Sequence, residues 1–435
     1  MPVKKILFYG RMTPVQTAGP AKILLGNKFM SNSGNLLFAA SVARTVMTGD
    51  VQLVPFFSED VDAMLPRIAE INESCESVVI PLANAFRADY REKIRKLTRF
   101  VKAVRLPCHV IGVGIQASDL EQMKAGFSFD EDVKQFVSAV LEKSPMLGLR
   151  GQFTADYLEQ LGFVPEQHFT VIGCPSAYIH GEKCRKIQAK PYGEIEKVCI
   201  NSKLELPQNV CDLIGRSMAE FQDVHFVAQD LYEYWAMVFP YRRGRRVRSR
   251  APQFYPYSKE HPLWRDGRVI GFLRADEWLN FMEGQDFSFG SRIHGNMAAI
   301  TAGTPAMIAA SDLRILELAR YHGIPYIWKE DIKPETQLRD LYEKADFGEF
   351  EREYASNFAK YVDFLNRLGL EHIYDGKTVY AEGEAPFDRA LPRTDEISMI
   401  HSCMKVPVAD KLKGLGIYPL MLKYKMDRRR LARVE

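Results

Sequence analysis

The chain has 435 residues, of which 46% are hydrophobic and 26% charged, which is typical of a folded protein with two or three domains and excludes a disordered or fibrous chain. Its 58 basic and 55 acidic residues give a net charge of +3, which argues against a dedicated nucleic-acid partner. The seven irregularly spaced cysteines include no Cys-x-x-Cys pair, so we expect a reduced, cytoplasmic protein without a disulfide framework.

Short apolar runs alternate with amphipathic stretches along most of the chain, and no apolar run is long enough for a membrane span or an export signal. The first series of predicted strands covers residues 5–9, 51–56, 77–81, 109–113, 146–150 and 170–173. The second covers residues 197–201, 224–228, 267–271, 286–290, 306–310 and 325–328. Predicted helices lie between them, at 36–48, 90–104, 129–143, 153–161, 296–302 and 313–321. Two such series predict an α/β protein with two Rossmann-like, doubly wound domains.

A polar, turn-rich stretch at residues 183–196 separates the two series. We therefore predict an N-terminal domain at 1–185, a C-terminal domain at 186–385 and a basic extension at 386–435. Residues 241–250 contain six arginines, and the tail 411–435 is also basic. Both segments fit a solvated surface, or else contact with an anionic partner such as the inner face of a membrane.

The most informative segment is residues 287–305, where a strand, a polar turn and a helix of small residues follow one another. We place Ser291, Arg292 and His294 in the turn at the carboxyl end of the strand, where open α/β sheets bind ligands. The helix start, with Gly295 and Asn296, would favour an anion. These groups predict a site for a phosphorylated or carboxylated substrate. The alternative is that His294 caps the helix and Arg292 pairs with a surface acid.

Three other segments offer polar groups at the same kind of position. Asp312 and Arg314 follow the next predicted strand, and Arg150 ends an earlier one, where a guanidinium could clamp a carboxylate. The alternatives are a helix N-cap for Asp312 and salt bridges for the two arginines. Asn32, Gly34 and Asn35 open a helix whose N–H groups could cradle a polar ligand, or they form only a loop and an N-cap.

We expect no cofactor and no metal. Gly112-Val-Gly114 imitates a dinucleotide fingerprint, but no second strand ending in an acid follows at the required spacing. The histidines are scattered, and neither a P-loop nor a His-Glu-x-x-His motif is present.

The block Ser291-Arg-Ile-His-Gly295, with Gly303-Thr-Pro305 and Asp312-x-Arg314, resembles the signature of the polysaccharide pyruvyl transferases. Asn32-x-Gly34-Asn35 is similar to the family's Asn-x-Gly-Asp element, with Asn in place of Asp. Arg150-Gly151 and Gly173-Cys-Pro175 also lie where the family has short motifs. The resemblance extends over roughly residues 27–328.

This resemblance implies two Rossmann-like domains that face a cleft, as in the GT-B glycosyltransferases. It implies transfer of the pyruvyl group of phosphoenolpyruvate onto two hydroxyls of a glycan acceptor, which could be a lipid-linked precursor of a cell-surface polysaccharide. Arg292 and His294 would be catalytic, and Arg150 with the other motif residues would bind substrate. Such an enzyme would work in the cytoplasm, and the basic segments could hold it at anionic lipid on the inner face of the membrane.

Two alternatives remain at this point. One is a GT-B glycosyltransferase that uses a nucleotide sugar. The other is a non-catalytic protein of a polysaccharide-assembly complex.

Overall fold

The computed structural model describes residues 4–49, 51–238, 254–257, 259–378, 380, 383–392 and 398–403. The arginine-rich segment 241–250 and the basic tail 411–435 lie outside the described residues. Among the helices of the described part, none combines the length and apolar character needed to cross a bilayer.

The first half of the chain is built on a parallel sheet. Strands β1 to β4 pair in the order β2-β1-β3-β4. Strands β5 and β6 continue this sheet, because Gly112 N donates to Gly148 O at 2.9 Å and Arg150 N donates to Val113 O at 3.0 Å. The strands are β1 Lys4–Tyr9, β2 Val51–Phe56, β3 Ser77–Pro81, β4 Cys108–Ile111, β5 Leu147–Leu149 and β6 Phe169–Val171.

Helices follow the strands of this half and cover its sheet. They are α1 Pro20–Leu25, α2 Gly34–Val46, α3 Val61–Met64, α4 Ile68–Ser74, α5 Arg91–Ala103, α6 Leu120–Ala125, α7 Asp130–Leu141 and α8 Gln152–Gln160. Strands such as β3 are buried along their whole length, as expected of a parallel sheet that is covered on both faces.

The second half contains a seven-stranded sheet in the order β12-β11-β10-β7-β8-β9-β13. Strands β7 to β12 are parallel and follow the Rossmann order, and β13 pairs antiparallel with β9 at the edge. The strands are β7 Lys197–Asn201, β8 Asp223–Val227, β9 Val269–Phe272, β10 Phe287–Gly290, β11 Ala306–Ala310, β12 Tyr326–Trp328 and β13 Met399–His401.

The helices of the second half surround this sheet, and one of them returns to the first half. They are α9 Gln208–Ala219, α10 Leu231–Val238, α11 Pro262–Arg265, α12 Ala275–Glu283, α13 Ile293–Thr301, α14 Leu313–Tyr321, α15 Leu338–Lys344, α16 Glu349–Arg367 and α17 Pro386–Ala390. On α16, Tyr361 shares a 3.1 Å hydroxyl–hydroxyl hydrogen bond with Thr45, and Arg367 forms an ion pair with Glu166. The bounds 1–185, 186–385 and 386–435 stay predictions.

The α/β fold with two Rossmann-like halves is confirmed, and each of the twelve predicted strands lies within two residues of its predicted bounds. One local prediction was wrong, and one strand was missed. Helix α13 begins at Ile293, so His294 and Gly295 lie in its first turn and not in the preceding loop. The low helix propensity of Gly295 disguised this start. Strand β13 was not predicted, because its three residues pair with a distant segment.

In each half, strand order reverses beside the first strand: between β1 and β3 in the first half, and between β7 and β10 in the second. Ligands of open α/β sheets bind outside the carboxyl ends of the strands at such switch points. The loop after β1 crosses to the second half, where Ser33 N donates to Gln229 O at 2.8 Å. The carboxyl ends of both sheets therefore face one interdomain cleft.

Candidate active site

Arginines from both halves meet in this cleft. Arg150 directly follows β5, Arg314 lies in the first turn of α14, and Arg292 precedes α13. Burial lowers the pKa of Arg314, and the positive charges of Arg150, Arg87 and Arg292 act in the same direction. Arg314 thus lies among arginines from both halves of the molecule.

Arg150 is almost fully buried, with 1% of its surface exposed. Its Nη1 donates to the carbonyl oxygen of Ala83 at 2.6 Å, and its Nη2 lies 3.5 Å from the sulfur of Cys174. Its Nε has no hydrogen-bond partner in the described structure. A buried guanidinium with an unused N–H group has capacity left for an anion.

The turn after Arg150 is fixed from the other half of the molecule. Glu317, on α14, accepts hydrogen bonds from the backbone N–H and the hydroxyl of Thr154 at the start of α8. A Cβ on Gly151 would lie 2.8 Å from the Glu317 carboxylate, so only glycine allows this contact. Burial raises the pKa of Glu317 to about 7.

The ring of His294 is packed inside this cluster and is not open to solvent, since only 7% of the residue is exposed. Its Nε2 lies 3.8 Å from the sulfur of Cys174, the same atom that Arg150 contacts. A Cβ on Gly34 would lie 2.5 Å from its Nδ1. The glycine in Asn32-x-Gly34-Asn35 therefore makes room for the imidazole.

The charge state of His294 follows from these surroundings. Burial lowers its pKa well below the ordinary value, and the charges of Arg150 and Arg314 lower it further. The imidazole is neutral in this state, so it can accept a proton but has none to spare as an acid.

Arg292 is held differently, by a carboxylate. It forms an ion pair with Asp230, and its Nε donates to the carbonyl oxygen of Ser202 at 3.1 Å. Asp230 also accepts from the side-chain amide of Asn32 at 3.1 Å, which joins the loop after β1 to the second half. Glu233 supports this turn by accepting from the backbone N–H of Asp230 at 2.6 Å.

Lys203 adds a further cation beside Arg314. Its ammonium lies 2.6 Å from the carboxylate of Asp312, which also contacts Arg314 at 3.2 Å. Burial opposes ionisation of Asp312, but the charges of Arg314 and Lys203 hold its pKa below the usual range. Asp312 also caps α14 through the N–H of Ile315, so the N-cap alternative holds for this residue.

The remaining predicted residues are engaged within the scaffold. Ser291 accepts from the backbone N–H of Lys203, and Asn296 bonds to the carbonyl oxygens of Gly290 and Arg292. The amide of Asn35 donates to the carbonyl oxygens of Phe29 and Met30. Gly295 lies against Asn201 and Gln229. These four residues shape the turns and do not join the arginine cluster.

Four residues of the site were not predicted from the sequence: Lys203, Asp230, Arg87 and Glu317. Lys203 and Asp230 follow the predicted strands 197–201 and 224–228, so the carboxyl-end rule was a usable signal for them. Glu317 had no such signal, because its role depends on contact with the other half. Within the described residues, no group of histidine, cysteine and acidic side chains is arranged to hold a metal ion.

A cavity of about 1490 Å³ lies beside the cluster and runs along the outer face of α2. Asn35, Leu36 and Ala39 line it, whereas Arg150, Arg292 and His294 do not. Since Gly34, at the start of α2, touches His294, the cavity and the cluster lie next to each other. The cavity is large enough to hold a ligand of considerable size.

Several solved structures are distantly similar to this chain. A UDP-N-acetylglucosamine 2-epimerase from Listeria monocytogenes has a TM-score of 0.41 at 12% identity, covering 89% of this chain and 94% of that one. The S. aureus MnaA–UDP structure gives 0.42 at 10%, covering 85% and 98%, and Acinetobacter baumannii MurG gives 0.37 at 7%, covering 84% and 99%. These values carry no argument about activity.

The comparison with curated proteins gave no significant match. A family model described as polysaccharide pyruvyl transferase matches residues 52–312, more than half of the chain. The match includes Arg87, Arg150, Arg292 and His294. The chain therefore belongs to the polysaccharide pyruvyl transferase family.

Proposed function

We propose that this protein transfers the pyruvyl group of phosphoenolpyruvate onto two hydroxyls of one sugar in a glycan and releases phosphate. The observation that carries the proposal is the group of cations from both halves around a neutral, buried imidazole. Among the described residues, only Asp230 and Asp312 form ion pairs with Arg314, Arg292 and Lys203, and no carboxylate forms one with Arg150, so an anion would complete the site. Phosphoenolpyruvate carries a phosphate and a carboxylate, and it would supply that charge.

In the first step, the oxygen of one sugar hydroxyl adds to C2 of the donor, and a proton is delivered to the methylene carbon. In the second step, the other hydroxyl displaces phosphate from C2, and its proton leaves with the phosphate. The products are a cyclic pyruvate ketal and inorganic phosphate. The reaction includes no oxidation or reduction, so the protein has to hold the two substrates in position and transfer protons.

His294 is suited to take the proton from the attacking hydroxyl, because it is neutral before the donor binds. A donor held between Arg150 and Arg314 would offset the two charges that lower the pKa of His294. The imidazolium formed in the first step would then be stabilised and could pass its proton onward.

The site is nearly closed, since Arg150 and His294 are buried. The donor would reach them past Arg314, Lys203 and Arg292, which are partly exposed. The cavity along α2 offers the space for the acceptor glycan, which could be lipid-linked.

The direct test is phosphate release from phosphoenolpyruvate with a panel of galactose- and mannose-containing acceptors. We expect release that depends on both substrates, with a product heavier than the acceptor by one ketal-linked pyruvate in mass spectrometry. Stabilisation by UDP or GDP, without stabilisation by phosphoenolpyruvate, would favour a nucleotide-sugar glycosyltransferase instead.

Contact with the membrane has its own test. If the basic segments bind anionic lipid, the full chain should co-sediment with phosphatidylglycerol vesicles at low salt and not with phosphatidylcholine vesicles. Absence of co-sedimentation would remove this part of the proposal and leave the transferase chemistry untouched.

A further inference from the structure

A second group of cations lies at the carboxyl edge of the first sheet. Arg11 follows β1, Arg87 lies in the loop after β3, and Lys93 lies in the first turn of α5. They surround the rings of Phe57, next to the end of β2, and of Tyr90. The strand order reverses between β1 and β3, so this is the ligand-binding switch point of the first half.

Lys93 lies against two aromatic rings, and the two acids that act on its charge, Glu59 and Asp89, are paired with arginines. Its ammonium lies 5.0 Å from the ring centre of Phe57 and 4.8 Å from that of Tyr90, and within the described residues it forms no ion pair. Arg11 pairs with Glu59, and Arg87 pairs with Asp89. Lys96, one turn further along α5, pairs with Asp62 at 2.7 Å.

The surroundings of Lys93 are unfavourable for a lone cation. Burial lowers its pKa to about 8, Glu59 and Asp89 oppose the shift, and the charges of Arg87 and Arg11 add to it. Contact with two ring faces returns only part of the free energy lost by desolvating an ammonium. An arrangement of three cations with one of them unpaired fits a bound anion better than a structural role.

This group is continuous with the arginine cluster of the active site. The side-chain amide of Asn84 lies 3.2 Å from Arg87 Nη1 and 2.8 Å from Arg314 Nη1, and when the amide is oriented with its oxygen toward them, that oxygen accepts from both guanidiniums. On its other side, the group borders the large cavity. Lys28 lines that cavity and donates to the carbonyl oxygen of Arg11 at 3.0 Å. The second group of cations therefore has neighbours on both sides, the cavity through Lys28 and the arginine cluster through Asn84.

We propose that Lys93, together with Arg11 and Arg87, binds an oxyanion carried by the acceptor glycan, either a phosphate on the sugar or the carboxylate of a uronic acid. This inference rests on the proposed function, because it takes the arginine cluster as the site of the donor. The donor's two anionic groups are then held by Arg150, Arg314 and their neighbours, and Lys93, Arg11 and Arg87 are left for the second substrate. The acceptor is thereby assigned to the acidic sugars.

The experiment is isothermal titration calorimetry on the full-length protein. Phosphoenolpyruvate is titrated first, and then glucose 1-phosphate, glucuronate and glucose are each titrated with phosphoenolpyruvate at saturation. The variants are Lys93→Met, which removes the charge, Lys93→Arg, which keeps it, and Lys96→Met as the matched control on the same helix. Thermal unfolding confirms that each variant is folded.

We expect at least one of the two anionic sugars to bind the wild type at least ten times more tightly than glucose does. Lys93→Met should weaken that binding tenfold or more, whereas Lys93→Arg should retain most of it and Lys96→Met should not change it. If glucose 1-phosphate binds more tightly, the acceptor carries a phosphate; if glucuronate does, it carries a carboxylate.

The proposal is overturned if Lys93→Met binds the anionic sugar as the wild type does, if Lys96→Met loses as much, or if neither anion binds more tightly than glucose. Failure of phosphoenolpyruvate to bind contradicts the proposed function instead. In that case the sugar titrations are run without it, and the Lys93 and Lys96 variants still decide the Lys93 site.

Discussion

Arg150 and Arg292 occupy equivalent places in the two sheets, at or just after the carboxyl end of a parallel strand, yet they are held in different ways. Arg292 is paired with the carboxylate of Asp230. Arg150 is held by the carbonyl oxygen of Ala83 and the sulfur of Cys174, with no carboxylate at ion-pair distance among the described residues. The charge of Arg292 is thus paired with a carboxylate before any substrate binds, whereas the charge of Arg150 is not.

The difference in pairing indicates which arginine binds an anion more strongly. A charge that is already paired loses part of its attraction for a ligand, whereas a desolvated and unpaired one keeps it in full. We therefore assign the stronger contact with the donor to Arg150. Arg292 contributes a weaker donor contact, and it also helps to hold the two halves together through Asp230 and Asn32.

The largest effect is expected at His294, whose pKa is lowered by burial and by the charges of Arg150 and Arg314. Replacement by glutamine should reduce kcat about 10²–10⁴-fold, because a placed proton-transfer group is lost while the polar volume is kept. The measurement is steady-state phosphate release, with His168→Gln, in a turn far from the cleft, as the control. An H294Q enzyme with wild-type kcat would remove the imidazole from the mechanism.

Arg150→Met and Arg292→Met should have opposite balances of activity and stability. Arg150→Met should lower kcat/KM for phosphoenolpyruvate by about 10–150-fold, the equivalent of roughly 1.5–3 kcal/mol for a lost charged hydrogen bond. It should leave the melting temperature unchanged or higher, since an unpaired buried charge is removed. Arg292→Met should lower the free energy of unfolding by about 1–3 kcal/mol, because Asp230 loses its partner.

Reversed stability effects would contradict the assignment of Arg292 as the paired arginine and Arg150 as the unpaired one. A loss of stability in the Arg150 variant with none in the Arg292 variant would show that the Asp230 ion pair contributes little. Thermal and urea unfolding of the two variants, without substrate, give the answer independently of activity.

Gly34→Ala should affect both sides of the cleft by a smaller amount. The new Cβ would lie 2.5 Å from His294 Nδ1, so the ring or the start of α2 must move. We expect a loss of about 1–3 kcal/mol in stability from overpacking and a fall in kcat greater than the rise in KM. Gly193→Ala is the control, because a Cβ there meets nothing within 4 Å. Equal kinetics in the two variants would contradict the close packing of His294 on α2.

A further effect is expected in the pH dependence of stability at Glu317, which faces Arg150, Arg314 and Thr154. Its pKa is raised by burial from 4.5 to about 7, so between these values the folded state holds a proton that the unfolded state releases. Stability should therefore fall as the pH rises through this window. Glu317→Gln cannot titrate, and the difference in unfolding free energy between wild type and variant should change by about 1–3 kcal/mol between pH 5 and 8.

Urea unfolding at several pH values measures this difference, and groups common to both proteins cancel in it. A difference that does not vary with pH would mean that Glu317 is ionised throughout, as a partner of Arg150.

The alternation of apolar runs was enough to predict twelve strands, because strands of a covered parallel sheet are apolar throughout. It also placed Arg150, Arg292 and Arg314 at strand ends, and hence near the cleft. The contacts between the two halves could not be predicted from this alternation. His294 packs on Gly34, and Glu317 accepts a hydrogen bond from Thr154 at the start of α8, so both contacts join residues far apart in the chain. The neutrality of His294 likewise depends on burial by both halves.

Strand β13 has a consequence for the behaviour of the protein in solution. Its antiparallel pairing with β9 occupies the amide and carbonyl groups that would otherwise form an open sheet border. At the far border of the first sheet, β2 carries Pro55, which has no amide hydrogen to offer another chain. A chain shortened before residue 398 would uncover β9 and provide a template for strand addition by a second molecule, so truncation should favour self-association even where the catalytic cleft is intact.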